Sequence, residues 1–273
     1  MSNNFSIKLV VSNARYVDPI KTDELFDKSY SEPEHSSIDE FLLRLYEINR
    51  LLPSPAEFNP LQAQLVLLGA VAAVESYLRS VIRRSILIDG HAQECVLKKE
   101  ISFGAAMHVP KRMLPEAIME RYTFVSEKSI VDALKDLLGL KGSFPTEVEY
   151  SLNEYVKICQ LRHCSVHRFG KLGTSNAIAL GLGEHSENIE KPLCLDYEAT
   201  QRSIAVITNF VATVNSYIFN YLIYRVPAEW WSGVYKTDKP LFKRYFEIFE
   251  DTVTSTVVRK SMRDWYLEFL ANR

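Results

Sequence analysis

Apolar residues recur every three or four positions along three long stretches of the chain, the spacing that places them on one face of an α-helix. The stretches cover residues 60–87, residues from Thr146 towards the glycines at 170 and 173, and residues 197–225. Their apolar stripes are Leu67, Val71, Val74, Leu78 and Val81, then Val148, Leu152, Tyr155 and Cys159, then Ile204, Ile207, Val211, Val214, Ile218 and Tyr221. Helices with one apolar face each bury those faces against one another, so the pattern predicts a mainly α fold, an up-and-down helical bundle.

Shorter helices are predicted around these three from caps and breaks in the chain. One short helix has Ser37 as its N-cap and ends before Pro53. At the start of the second long helix, Thr146 with Glu149 three positions later is typical of a capping box. Further short helices are predicted near 92–100, 112–121 and 127–140, with one or two more after residue 238.

Two segments alternate apolar and polar residues as strands do. Residues 7–11 carry a weak strand signal, and residues 176–196 predict a small β-hairpin inserted between two helices. The alternating apolar residues are Ile7, Leu9, Val11, Ile178, Leu180, Leu182, Leu193 and Leu195. We therefore divide the chain into an N-terminal extension (1–58), a helical bundle (59–226) and a C-terminal helical tail (227–273).

Composition and charge are those of an ordinary globular protein, with 47% hydrophobic residues, 24% charged residues and a net charge of −2. Because no global basic field marks a nucleic-acid-binding protein, any RNA contact has to come from a local patch. The four cysteines are scattered rather than paired, which favours a reducing compartment. The longest apolar stretch, about residues 65–74, is too short to cross a bilayer, and residues 1–11 lack a secretory signal. We predict a cytoplasmic protein without membrane contact.

Residues with catalytic potential concentrate at the end of the second long helix, where residues 161–170 read LRHCSVHRFG. Arg162 takes the next inward position of the apolar stripe, and arginines are rarely buried without a partner or a ligand. His163 and His167, two of the six histidines, lie in the same window together with Arg168.

The pattern Arg162-His163-x3-His167-x2-Gly170 resembles the Arg-polar-x3-His motif, with a following glycine, of the HEPN superfamily. The polar position of that motif is commonly Asn, Asp or His, and His163 occupies it here. We call residues 162–170 the motif segment.

An earlier segment strengthens the resemblance. Residues 71–79 read VAAVESYLR and are similar to the first long HEPN helix, which often carries a glutamate before an aromatic and a basic residue. Glu75 is that glutamate, and the resemblance covers about residues 60–225. It implies a bundle of HEPN type, and the predicted hairpin departs from a minimal one.

The resemblance implies RNA cleavage that needs no metal and no cofactor and leaves a 2′,3′-cyclic phosphate end. Histidine exchanges protons near neutral pH, so His167 is the candidate acid or base, and His163 is a second acid or base or an orienting group. Arg162 stays cationic and offers a planar fork of donors to the scissile phosphate. Attack by a ribose 2′-OH confines the activity to RNA.

Further roles follow from the same resemblance. Glu75, if it lies inside, would hold Arg162 by a charge-assisted bond; alternatively it is an edge residue that pairs with Arg79 one turn later. Arg168 and Arg79 are the candidate substrate-binding cations. Proteins of this kind often act as toxins or antiviral effectors, and an inhibitor or regulatory partner protein is the expected control of such an activity.

Helix geometry limits how the two principal residues can meet. On a continuous helix, five residues turn about 500°, so Arg162 and His167 point about 140° apart. They converge on one ligand only if the helix is distorted between them or if two subunits share a site. The family resemblance favours a symmetric homodimer that places two motifs across one cleft.

Three other interpretations compete with the ribonuclease. Cys159, His163 and His167 share one helix face at ligand spacing for zinc, but they spread over about 12 Å of one helix, too far for one ion. A non-catalytic HEPN module would bind a nucleotide, a nucleic acid or a partner protein with the same residues. In a purely structural interpretation, Arg162 belongs to a buried ion pair and the histidines cap a helix end. A Cys164 nucleophile is disfavoured because its neighbour His163 points to a different face of the helix.

Overall fold

The computed structural model describes residues 11–12, 14–254 and 260–273. Eleven α-helices lie within them: α1 Ser37–Asn49, α2 Pro60–Ile88, α3 Gly90–Val96, α4 Phe103–His108, α5 Leu114–Met119, α6 Glu127–Leu138, α7 Thr146–Arg168, α8 Thr174–His185, α9 Tyr197–Tyr224, α10 Tyr235–Phe249 and α11 Met262–Ala271. The predicted mainly α fold is confirmed. The strand signal at Ile7 and Leu9 lies outside the described residues.

The chain divides into two compact units, residues 1–34 and His35–Arg273. In the first unit, the described residues form one 3-10 turn, Thr22–Glu24, and none of them is buried. The second unit contains all eleven helices. It includes α1, whose Ile38 and Phe41 are buried in the core, so the core extends further towards the N-terminus than the predicted boundary at residue 58.

The core of the second unit lies between α2, α7 and α9, with α1 and α10 packed against them. Tyr155 on α7 stacks on Phe210 of α9, with ring centroids 4.4 Å apart, and both side chains are fully buried. The long helix α2 begins where the side chain of Asn59 accepts a hydrogen bond from the backbone N–H of Leu61 and Pro60 takes the first helical position. Its apolar stripe is the one that the spacing predicts.

Two helix starts differ from prediction. The N-cap of α1 is Ser36, whose hydroxyl accepts from the backbone N–H of Asp39, while the Ser37 hydroxyl pairs with the Ser80 hydroxyl on α2. At the start of α7, Pro145 is the N-cap and Thr146 is already helical, so no capping box forms. In both cases the helix begins one residue away from the predicted position.

The β-hairpin predicted for residues 176–196 is wrong, because α8 covers Thr174–His185. The alternating residues do not share a buried face: Ile178 is exposed, and the buried positions of this helix lie in its first turn. The backbone of residues 170–172 pairs instead with residues 190–193, and the only β-bridge within the described residues joins Lys171 to Pro192. α8 is also kinked at Gly181, whose φ is 106°.

Among the residues that the structure describes, two helices are long and apolar enough to cross a membrane, α2 and α9. In the most apolar window of each, 61% of the residues of α2 and 44% of those of α9 are buried inside the protein. Core helices of soluble proteins pass the same test of length and composition, so it gives only weak support for a membrane span. The cytoplasmic location stays a prediction.

Candidate functional site

The motif segment forms the last two turns of α7 and the residues that end it. Arg162 is half-buried on the face of α7 that carries Tyr155 and Cys159, whereas His163 and His167 are exposed. The two imidazole rings lie one turn apart with centroids separated by 4.5 Å in an edge-to-face arrangement. α7 is continuous from Thr146 to Arg168, so the two histidines share one side of the helix and Arg162 points to another.

Glu75 on α2 and Arg162 on α7 act on the same two buried groups, Tyr155 and Cys159. The pKa of the Cys159 thiol is raised to about 12, mainly by burial; a hydrogen bond with Tyr155 and the charge of Arg162 oppose the rise, and the charge of Glu75 adds to it. Burial also raises the pKa of Tyr155 well above its ordinary value. Among the described residues, however, no ion pair joins Glu75 to Arg162 or to Arg79.

Arg79 and Arg168, the two predicted substrate-binding cations, are both held by carboxylates. A single nitrogen of the Arg168 guanidinium, Nη2, lies 2.6 and 2.7 Å from the two carboxylate oxygens of Glu190. Arg79 lies 3.6 Å from a carboxylate oxygen of Glu116 and donates to the carbonyl oxygen of Tyr122. Each guanidinium has fewer free donors for an RNA phosphate than its sequence position suggests.

The end of α7 is shaped by two consecutive residues with positive φ. Phe169 has a φ of 51° and a side chain that is 81% exposed, and Gly170 has a φ of 91°. A Cβ on Gly170 would lie 3.1 Å from the amide oxygen of Gln64 on α2, so a larger residue is disfavoured by both backbone and space. Gly170 also accepts a hydrogen bond from the backbone N–H of Leu193, which fixes the chain that follows the motif.

A polar network that the sequence did not suggest holds one side of His163. Asn176, in the first turn of α8, is 3% exposed, and its Nδ2 lies 2.9 Å from both His163 Nδ1 and Gln160 Oε1. No sequence pattern identifies Asn176 as a partner of His163. It lies in the segment for which the alternating apolar residues predict a β-hairpin. Its role depends on the packing of α8 against α7.

The zinc interpretation is not supported by this arrangement. Cys159 is buried and its thiol resists ionisation, while His163 and His167 face solvent. Within the described part of the chain, no group of three or more His, Cys, Asp or Glu side chains is placed to hold a metal ion. Cys164 is buried in a small apolar cluster with Leu172 and Ala177, which suits packing rather than nucleophilic attack.

Comparison of the chain with protein-family models, with curated proteins and with solved structures found no match. The resemblance to the HEPN superfamily therefore depends on the quoted residues alone.

Proposed function

We propose that this protein is a metal-independent RNA endonuclease of HEPN type. The observation that carries the proposal is the pair of exposed histidines, His163 and His167, with ring centroids 4.5 Å apart at the end of a helix that also presents Arg162. Two solvent-facing imidazoles and a guanidinium within six residues of one helix are a proton carrier, a hydrogen-bond donor and a positive charge, the groups that this cleavage needs.

The chemistry assigns a role to each group. The ribose 2′-oxygen attacks the adjacent phosphorus, its proton passes to His167, and the bond from phosphorus to the 5′-oxygen breaks. The departing 5′-oxygen takes a proton from a second, protonated imidazole, and the product is a 2′,3′-cyclic phosphate. Arg162 stabilises the negative charge that develops on the phosphate oxygens. No metal enters these steps.

The proposal includes a symmetric dimer. Because α7 is unbroken, Arg162 and His167 point about 140° apart, and one helix does not enclose a phosphate with both. A second α7 related by a twofold axis would supply the missing group and the second imidazole. Exposed apolar side chains suited to such a contact are Val166 and Phe169 in the motif segment and Ile178 on α8, the helix that packs against α7.

The dimer is tested by Phe169→Ser, measured as the dissociation constant in sedimentation experiments. We expect a loss of about 1–4 kcal/mol of association free energy, the range for a central interface aromatic. Phe103→Ser is the matched control, because Phe103 is also 81% exposed but lies on α4. Equal dissociation constants for both variants and the wild type would remove this surface from the interface.

The activity is tested by incubating mixed RNA with the wild type, His167→Ala and His108→Ala in EDTA. The control histidine, His108, is an exposed residue on α4. We expect cleavage by the wild type and the control, cyclic phosphate ends, and loss of cleavage in His167→Ala. Cleavage that persists in His167→Ala comes from a contaminant or another site, and absence of cleavage on every RNA tried contradicts the proposal.

A second candidate function is a binding module that holds RNA or a nucleotide without cutting it. It is favoured by the carboxylates that engage Arg79 and Arg168, which leave less free positive charge for a long RNA. This alternative predicts that Arg162→Ala weakens binding in a filter or fluorescence assay while the wild type produces no fragments.

A further inference from the structure

The side chain of Asn176 lies between Gln160 and His163. Asn176 Nδ2 has two hydrogens and two acceptors at 2.9 Å, Gln160 Oε1 and His163 Nδ1. A glutamine carbonyl oxygen only accepts, so the atom that faces it must be the donor nitrogen of Asn176. The second hydrogen of the same NH2 group then points at Nδ1 of the imidazole, which has to be the unprotonated nitrogen.

We propose that Asn176 is a positioning residue that holds His163 as the neutral tautomer with its proton on Nε2. The buried amide favours this state because a proton on Nδ1 would face the Asn176 N–H group, donor against donor. Asn176 is 3% exposed, so water does not readily replace the lost bond. The tautomer is a property of the protein alone, whereas its use in cleavage rests on the proposed function.

The tautomer separates the roles of the two histidines. With Nδ1 occupied by Asn176 and Nε2 already protonated, His163 has no free nitrogen to accept a proton from a 2′-OH. It presents a neutral N–H donor, suited to a phosphate oxygen whose charge increases during the reaction. His167, whose ring centroid lies 4.5 Å away, is left as the proton acceptor of the pair.

The tautomer of His185 provides a comparison for that of His163 within the same protein. Its Nδ1 lies 3.0 Å from the backbone carbonyl oxygen of Gly181, and a carbonyl oxygen only accepts. Nδ1 of His185 therefore carries the proton in the neutral ring. The structure assigns opposite tautomers to His163 and His185, and one spectrum of one sample can distinguish them.

The test is long-range proton–nitrogen NMR of the full chain labelled with 15N, at a pH where the histidines are neutral. His163→Gln and His185→Gln identify the two rings by loss of their signals. We expect the nitrogen shift of a protonated Nε2 and an unprotonated Nδ1 for His163, with the reverse for His185. Reversal of the pattern at His163 would overturn the proposal, because it would require the Asn176 carbonyl oxygen to face Nδ1.

Variants of Asn176 give a second readout. Asn176→Asp replaces the donor by an acceptor, so the proton of His163 should move to Nδ1, and Asn176→Ala should give a mixture of both tautomers. Asn153→Asp is the control, since Asn153 is an exposed residue on the same helix as His163. An unchanged tautomer in both Asn176 variants, with unfolding curves that show folded protein, would overturn the role of Asn176.

The outcome is separable from that of the proposed function. If the tautomers are as predicted but no RNA is cleaved, the nuclease proposal is contradicted and the positioning role of Asn176 still holds. If RNA is cleaved but His163 has the opposite tautomer, the nuclease proposal is supported and the positioning role of Asn176 is contradicted. His163 would then be available as a base.

Discussion

Replacing Asp89 by asparagine should destabilise the fold more than any surface substitution. Asp89 is buried at the end of α2 and caps α3 by accepting from the backbone N–H of Ala92 at 2.8 Å. It also accepts from the Tyr245 hydroxyl at 3.1 Å and pairs with the guanidinium of Arg225. Arg225 donates in turn to the carbonyl oxygen of Leu138 at 2.6 Å. The carboxylate therefore ties the ends of α2, α6 and α9 to α10.

The size of the effect follows from what asparagine keeps and loses. Its side-chain oxygen can still cap α3, but the negative charge opposite Arg225 is gone. Breaking a buried ion pair from one side costs about 3–5 kcal/mol. Because the Arg225 side chain retains 16% exposure to water, we expect the lower end, about 3 kcal/mol. That loss lowers the ratio of folded to unfolded protein roughly a hundredfold.

Urea unfolding at neutral pH measures this loss of unfolding free energy. The slope of the unfolding free energy against urea concentration should stay unchanged, which shows that only stability has changed. Asp132→Asn is the control, since Asp132 is an exposed carboxylate on α6, and it should stay within about 0.5 kcal/mol of the wild type. Arg225→Met completes a double-mutant cycle. A loss below about 1 kcal/mol, or additive effects of the two substitutions, would refute the view that this pair joins the helices.

Three further predictions concern other parts of the second unit. Burial acts to raise the pKa of Asp238, but hydrogen bonds to its carboxylate hold the pKa below its ordinary value. The largest of these contributions comes from the Tyr266 hydroxyl, which donates at 2.6 Å. Tyr266→Phe should therefore cost about 1.5–3 kcal/mol at neutral pH, and denaturant unfolding should show the difference from wild type decreasing as pH falls through the lowered pKa of Asp238. Gly170→Ala should cost about 1–2 kcal/mol because its φ is 91°, and an unchanged thermal midpoint would contradict this. Glu190→Gln should free Arg168 with less than about 1 kcal/mol of lost stability, and RNA affinity should rise and become more salt-dependent; equal affinities at low salt would show that Arg168 does not reach RNA.

The long helices could be predicted from the sequence because their signal is local. The periodicity over residues 60–87 and 197–225 matches α2 and α9 almost residue for residue. Arg162 could likewise be placed at the end of the buried stripe of α7, where it is half-buried. Each of these conclusions depends on spacing within one helix, and the geometry of a helix does not depend on its neighbours.

Local sequence patterns gave wrong predictions where two local structures fit the same pattern. Three alternating apolar residues at 178–182 suit a strand as well as one and a half turns of helix, and α8 forms because its first turn is buried against α7. At the start of α7, the capping box at Thr146 and Glu149 does not form because the helix begins after Pro145.

The partners of the candidate site are set by contacts between distant parts of the chain. The sequence by itself marks Arg162, His163 and His167 as neighbours with chemical potential, since they lie within six residues of one helix. Only the tertiary structure brings Asn176 to Nδ1 of His163 and the carboxylate of Glu190 to Arg168. Side chains 13 and 22 positions apart meet because α8 and the chain after it fold back on α7, and no periodicity along the sequence carries that information.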